Sequence, residues 1–506
     1  MMKYDDNINQ KSRIVDKLTD KLKRISRRAI KRGNIDRSCA AISAGADLLY
    51  RWNQSYTDSE YEGLISDISN LLIANYQVEL DGYEGHKNTV LFYDGFGLDL
   101  RGWARNYLTG LKNNGYKIVY VTKNNNAPKN AEPEIYQILS GADSEIILFN
   151  SNDSYIKWID AICKSFIIFQ PENAFFYTTP YDVAGCVAFE VMHDKCCRYQ
   201  IDLTDHAFWL GVRAVDYSIE VREIGVSNAC YYRGFKYDQL RFLDSYVTVE
   251  RNIKFRGFPF DSRDKKILFS GGAIYKTLGD PQNTFYNIVD ELVRRHNDLI
   301  FYYLGSGDTA ELSKLKARYP EQIFYEPERD DYFQIIERCT LYLNTYPFSG
   351  GIMVRCAALL NKIPLTLKHG NDNEGFLIDQ EKRQIEYDNP EELICDAEKL
   401  LYNEKYREER ENKLRGSVIS EEEFTKGLKL IIEEESLGNR IISLKTTKSE
   451  DQKADYRRRF CLADIDDSIC KPINKSLFFE LPVFFGRGIV RKTFRKIKYK
   501  CEKEKK

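Results

Sequence analysis

Three glycine-rich stretches and one histidine carry the residue types best suited to chemistry. Ser270-Gly271-Gly272-Ala273-Ile274-Tyr275-Lys276 directly follows an apolar run. Glycines let a backbone approach a ligand closely and adopt positive φ, and a nearby lysine neutralises charge on a departing diphosphate. The plainer alternative is a tight turn with a surface lysine. Leu304-Gly305-Ser306-Gly307-Asp308 repeats the pattern, although any α/β sheet needs such turns. Tyr346-Pro347-Phe348-Ser349-Gly350-Gly351 precedes an apolar helical stretch, Val354 to Leu360, with Arg355 one turn in. Amides exposed at a helix N-terminus form an anion site; an ordinary N-cap by Ser349 is the competing reading. The fourth segment is Asp202-Leu203-Thr204-Asp205-His206-Ala207-Phe208-Trp209-Leu210-Gly211. A histidine beside a carboxylate acts as a general base or orients an acceptor, or else it is a buried, hydrogen-bonded core residue.

These segments need a scaffold. Thr89 to Tyr93, Lys117 to Val121, Glu145 to Phe149 and Ser165 to Phe169 read as buried strands, with Trp103, Tyr107 and Leu111 on one face of an intervening helix. A second series runs through Lys266 to Phe269, Leu299 to Leu304, Gln322 to Tyr325, Leu341 to Leu343 and Ile363 to Leu367. Short apolar runs alternating with helices imply βαβ units and parallel sheets. Ligands of such sheets sit at the carboxyl ends of strands, so two halves joined near 245–264 create a cleft. Before them, Ile14, Leu18, Leu22 and Ile25, then Leu64, Ile68, Leu71 and Leu72, recur at helical spacing.

The 506 residues are 43% hydrophobic and 30% charged, a globular composition. The formal net charge of -1 gives no pull toward nucleic acid. The last twenty residues, Arg487 to Lys506, carry ten Lys/Arg against two Glu, a local +8 that leaves -9 on the rest. Twelve cysteines without a CxxC pair predict reduced, mostly buried thiols. Met1 to Gln10 lacks an apolar secretory region and no apolar run is long enough to span a bilayer, so a cytoplasmic protein, peripheral at most on the inner face of a membrane, is expected.

Together the four segments resemble the GT-B glycosyltransferases of the O-GlcNAc transferase type, including bacterial HMW-adhesin glucosyltransferases and capsule-locus relatives. The strand and loop ending in Tyr275-Lys276, and Asp205 to Gly211 with Arg222 and Tyr232-Arg233-Gly234 downstream, carry the likeness over roughly 86–385. It implies an α/β chain with two Rossmann-like domains facing across a cleft: a helical extension (1–82), an acceptor-side domain (83–255), a donor domain (256–435), and a polar linker with a basic tail (436–506). It implies that Lys276 supports the leaving nucleotide diphosphate and that Phe348, Ser349, Gly350 and Gly351 cradle it. Gly271, Gly272, Tyr275, Gly305, Arg355 and Arg329 complete the donor set, Arg329 near base and ribose. His206, Asp205 and Lys276 are the candidate catalytic residues. The nucleotide sugar is a co-substrate; no metal or other cofactor is expected, and the lone Asp464-Ile465-Asp466 reads as solvated. The family's hydroxyl-bearing run after the second glycine is here Ile352-Met353-Val354, and Ala357 stands near its acidic position, so backbone amides and Arg355 must compensate.

The expected function is transfer of a sugar, from a UDP-sugar, to a glycan or lipid-linked glycan in surface polysaccharide assembly. Transfer to protein side chains and a catalytically silent partner protein are the alternatives. Val490, Phe494, Ile497 and Cys501 fall at i, i+4, i+7 and i+11 among basic residues. Such a helix suits an anionic membrane surface as partner for 487–506.

Overall fold

The computed structural model describes residues 2–52, 55–98, 103–124, 134–249, 252–278, 280–369, 375–433 and 465–503, with backbone alone at 2–9, 492 and 494–503. The apolar runs become two parallel sheets. The first contains β1 (His86–Asp94), β2 (Lys117–Asn124), β3 (Ser144–Asn150), β4 (Pro171–Tyr177), β5 (Cys197–Ile201), β6 (Tyr217–Glu220) and β7 (Leu240–Phe242), in the order β3-β2-β1-β4-β5-β6-β7. The second contains β8 (Lys266–Gly271), β9 (Leu299–Leu304), β10 (Ile323–Glu326), β11 (Leu341–Leu343), β12 (Pro364–Leu367) and β13 (Glu386–Tyr387), in the order β10-β9-β8-β11-β12-β13. Each sheet starts at an inner strand, winds outward one way, then reverses. That reversal makes a switch point between β1 and β4 and another between β8 and β11, where the strand-end loops part and open a crevice.

One expected strand is a helix. Ser165 to Phe169 closes the helix Tyr155–Phe169, and the strand follows at β4. Trp158, Ile159, Ile162, Cys163 and Phe166 are buried at helical spacing while Ile168 is 68% exposed. The apolar period is that of a helix face, and reading only its last five residues conceals it.

The extension comprises helices Met2–Lys31, Ile35–Trp52, Ser59–Ile73 and Gln77–Asp81. Leu18, Leu22 and Ile25 are buried as their spacing requires; Val15, not Ile14, completes the stripe. Helix Ile35–Trp52 is buried on every side from Ser38 to Leu49, so it runs through the middle of the layer. These helices share one core with Leu91, Tyr93, Val119 and Val121 on one face of the first sheet. The opposite face, with Val90 and Phe92, is covered by helices Trp103–Asn113 and Glu421–Glu433. Phe424 meets Tyr107 edge-on at 5.2 Å, so the chain returns to the first lobe after building the second.

Two further expectations concern the C-terminal region. The polar stretch 436–470 lies mostly outside the described residues, Asp464 included. Asp466 does not fit the solvated reading: it is 2% exposed and accepts from Arg487 Nη2 at 3.0 Å, because the basic helix folds back over it. The ten cysteines with described side chains form no disulfide, and among the described residues no helix is long and apolar enough to cross a membrane.

Candidate functional site

The two switch points are not equivalent. In the first lobe the polar groups are spent on the loops themselves. Asp94, fully buried after β1, accepts from the amides of Phe96 (2.9 Å), Gly97 (3.2 Å) and Leu98 (3.1 Å). Asp182, after β4, accepts from Tyr93 Oη at 2.7 Å and Thr178 Oγ1 at 2.6 Å. A Cβ on Gly95 would lie 1.9 Å from Thr178 Oγ1, so nothing else enters there.

In the second lobe the corresponding loops leave donors over. The loop after β8 turns through a short 3₁₀ segment, Ile274–Thr277, and Lys276 O accepts from Phe348 N at 3.1 Å, tying it to the loop after β11. Asn344 Oδ1 accepts from Gly350 N at 2.9 Å, and the helix Gly351–Leu359 begins there without a side-chain cap. Its first intrahelical bond runs from Val354 N to Gly350 O at 3.0 Å. The amides of Gly351, Ile352 and Met353 therefore lack helical acceptors and carry the positive end of the helix dipole. Arg355 is 4% exposed, and its Nη2 has no hydrogen-bond partner. Burial lowers its pKa to about 10, which still leaves it charged at neutral pH. Lys276 is half-buried, and burial lowers its pKa as well.

Opposite lies the loop after β5. Asp205 is 3% exposed; Arg222 grips it through Nε at 2.7 Å and Nη2 at 2.6 Å, and His206 Nδ1 lies 3.0 Å from Oδ1. Burial opposes ionisation of Asp205, but Arg222 and His206 outweigh it and hold the carboxyl below the ordinary range. Behind it, burial pushes Glu220 well above the ordinary range, with Asp202 and Asp205 adding to the rise. Asp202 is raised by burial too, against Arg233. The cluster thus favours the charged form where Arg222 reaches it and the neutral form deeper in. Arg222 also stacks on Phe376 at 5.1 Å, and a Cβ on Gly375 would lie 3.1 Å from Glu223 N, so the lobes touch here.

Between the lobes is a cavity of about 340 Å³. His206, Asp205, Tyr275, Lys276, Phe348, Ser349, Gly350, Gly351 and Arg355 line it together. Gly271, Gly272, Gly305 and Arg329 do not. Gly272 N donates to Leu304 O at 2.9 Å, and a Cβ on Gly305 would sit 1.9 Å from Gly272 O, so these glycines let two strand ends pack. Arg329 is spent on Asp331, at 2.8 Å and 2.7 Å, and on Glu326 at 3.1 Å. The lining also holds Tyr50, Trp103, Arg222 and Phe376. Tyr50 comes from the helical extension, where nothing in its local sequence separates it from a core tyrosine. Trp103 could be found only as the first residue of an amphipathic stripe. Among the described residues no cluster of three or more His, Cys, Asp or Glu side chains could hold a metal ion.

The architecture is the GT-B fold, and the molecule is structurally similar to GT-B glycosyltransferases. HepE from Anabaena, solved with UDP and glucose, is 10% identical, with 68% of this chain and 99% of that one covered at a TM-score of 0.50. A glycosyltransferase from Rickettsia africae is 11% identical, with 70% and 99% covered and a TM-score of 0.50. A variant of the Thermobaculum terrenum O-GlcNAc transferase is 12% identical, with 88% and 83% covered and a TM-score of 0.48. No family model and no curated protein sequence matches the chain. At these identities the likeness establishes the fold alone.

Proposed function

We propose that this protein is a glycosyltransferase that moves a sugar from a nucleotide diphosphate sugar, a UDP-sugar, to a glycan acceptor. One observation carries the reading: the guanidinium of Arg355, buried with its Nη2 short of a partner, beside uncapped helix amides at the second lobe's switch point. A buried donor left without an acceptor costs about 1 to 3 kcal/mol, and a dianionic diphosphate supplies the missing acceptor. At the first switch point the described carboxylates, Asp94 and Asp182, already accept from their own loops and from neighbouring hydroxyls, which supports placing the donor in the second lobe. HepE, of the same fold, is solved with UDP and glucose, which supports uridine as the base.

In this reading the leaving diphosphate gains negative charge as the glycosidic bond breaks, and the Lys276 ammonium and the amides of Gly351 to Met353 stabilise it. In the tautomer that donates Nδ1–H to Asp205, Nε2 is the ring nitrogen that removes a proton from an acceptor hydroxyl. Asp205 positions that ring and does not touch the acceptor. Trp103 and Tyr50 offer apolar ring surface to sugar C–H faces. Lipid-linked glycans of surface polysaccharides fit the basic end of the chain. A polypeptide acceptor is the second reading, favoured by Tyr50, through which the helical extension reaches the cleft.

The test is a panel of nucleotide sugars assayed by nucleotide release and by thermal shift. One or more UDP-sugars should stabilise the protein and release UDP slowly by hydrolysis. If no nucleotide diphosphate stabilises it, the reading fails and the catalytically silent alternative, to which Ile352 and Met353 in place of hydroxyl residues would then belong, replaces it.

A further inference from the structure

We propose that the surface carrying Phe478, Phe479, Val483, Ile489 and Val490 seats the protein on an anionic lipid bilayer. These side chains are 41%, 89%, 64%, 58% and 53% exposed, five large apolar groups within thirteen consecutive residues. Single exposed apolar residues are ordinary; a contiguous group marks an interaction site.

The segment is not a frayed end. Leu477, Leu481 and Phe485 are buried in the core that holds the helical extension. Lys21 Nζ donates to Glu480 O at 2.7 Å, Arg37 pairs with the Glu480 carboxylate, and Gly488 packs against Cys470. In the helix Pro482–Lys503, Phe485 and Gly488 therefore face the body. At about 100° per residue, Val483 and Val490 fall on the opposite side. The sequence continues that spacing at 494, 497 and 501. The apolar stripe of this helix is thus turned away from its own protein.

Charge selects the occupant. Residues 487–506 hold ten Lys/Arg against two Glu, while the rest of the chain is at -9. Two copies meeting through this face would bring two +8 segments together. An anionic bilayer offers both an apolar interior for Phe479 and Val483 and counter-charge for the flanking lysines and arginines. Helix Ile35–Trp52 connects this surface to the cleft: Asp47 pairs with Lys471 at 3.3 Å, and Tyr50, one turn on, lines the cavity. The inference does not depend on the donor site, so it survives or fails independently of the proposed reaction.

The experiment is flotation of the full chain with phosphatidylcholine vesicles, with and without phosphatidylglycerol. The protein should float with the anionic vesicles and stay down with neutral ones. The variant Phe479→Ser/Val483→Ser/Val490→Ser should keep its melting temperature, since all three side chains are exposed, and lose binding by roughly tenfold or more. Arg495→Gln/Lys496→Gln/Lys498→Gln should lose about fivefold per charge removed. Equal flotation by wild type and both variants overturns the proposal, as does equal binding to neutral vesicles. Sedimentation of the free protein as a dimer that the serine variant abolishes would assign the face to a second copy instead.

Discussion

Arg222 holds Asp205 in a two-pronged grip, Nε to Oδ2 at 2.7 Å and Nη2 to Oδ1 at 2.6 Å, and the same Oδ1 receives the ring of His206 at 3.0 Å. A carboxylate fixed this way cannot swing toward a substrate. It sets the imidazole tautomer and leaves the proton transfer to His206. His206→Ala should lower kcat by roughly 10²- to 10⁴-fold and leave the Kd for UDP unchanged, since the donor groups lie on the other lobe. Asp205→Asn should behave differently, because it leaves the guanidinium of Arg222 buried without its counter-charge. Urea unfolding should show a loss of about 3 kcal/mol. The pH sign follows from the depressed carboxyl: its contribution is intact above the ordinary Asp range and disappears as pH falls through and below it.

Removing the charge of Arg355 should separate binding from folding. Arg355→Met keeps the apolar stem of the side chain and removes a buried cation whose Nη2 has no partner. The free protein should be about as stable as wild type or more so, since the cost of burying this guanidinium outweighs the pull of Asp244 and Asp205 on it. Titration calorimetry with UDP should show affinity falling by roughly 10- to 100-fold, the worth of one to two charge-assisted bonds. Unchanged affinity would remove the phosphate from this helix end.

Lys276 should reveal itself in the chemical step. Its ammonium lines the cleft half-buried, with burial pressing its pKa downward. A diphosphate carries more charge after bond cleavage than before, so Lys276→Ala should cut kcat by about 10²-fold or more and change KM little. A rise in KM at constant kcat would make it a ground-state contact only.

The sequence disclosed the α/β alternation because parallel strands buried on both faces read as uninterrupted apolar runs, as Leu299 to Leu304 does. Five strands escaped: β4, which follows the helix end read as a strand in its place, and β5, β6, β7 and β13, whose few residues mix polar with apolar side chains. Lys276, Phe348 to Gly351, Arg355 and the Asp205-His206 pair were legible because strand-end glycines and a helix start mark them locally. Tyr50 and Phe376 were not, since their place at the cleft depends on how helices and lobes pack. Arg329 is a different case. An arginine in a strand-end loop looks available until Asp331, two residues on, is seen to claim it.

Gly305 tests the distinction between a glycine that admits a ligand and one that admits the chain. A Cβ there would stand 1.9 Å from Gly272 O, a backbone atom that cannot rotate aside. Gly305→Ala should destabilise the protein by about 1 to 3 kcal/mol, read from the urea midpoint. The fraction that remains folded should bind UDP with wild-type affinity. A cradle glycine would show the reverse, normal stability with weakened binding.

Glu62 gives the extension a pH dependence of its own. The side chain is 2% exposed and accepts from Gly211 N at 2.9 Å and Arg213 N at 3.3 Å, tying helix Ser59–Ile73 to the loop behind His206. Burial raises its pKa to about 7, against the pull of those amides. The ordinary glutamate value is about 4.3. Between the two, the folded state binds more protons than the unfolded one, so stability falls as pH climbs. The contribution is complete below the ordinary value and is lost on rising through about 7. Urea midpoints for the wild type should drop between pH 5 and pH 8, by roughly 2 to 3 kcal/mol in stability. Glu62→Gln, which cannot ionise, should remove most of that slope. If the two slopes are parallel, the carboxylate is ionised throughout, and the amides of Gly211 and Arg213 outweigh its burial.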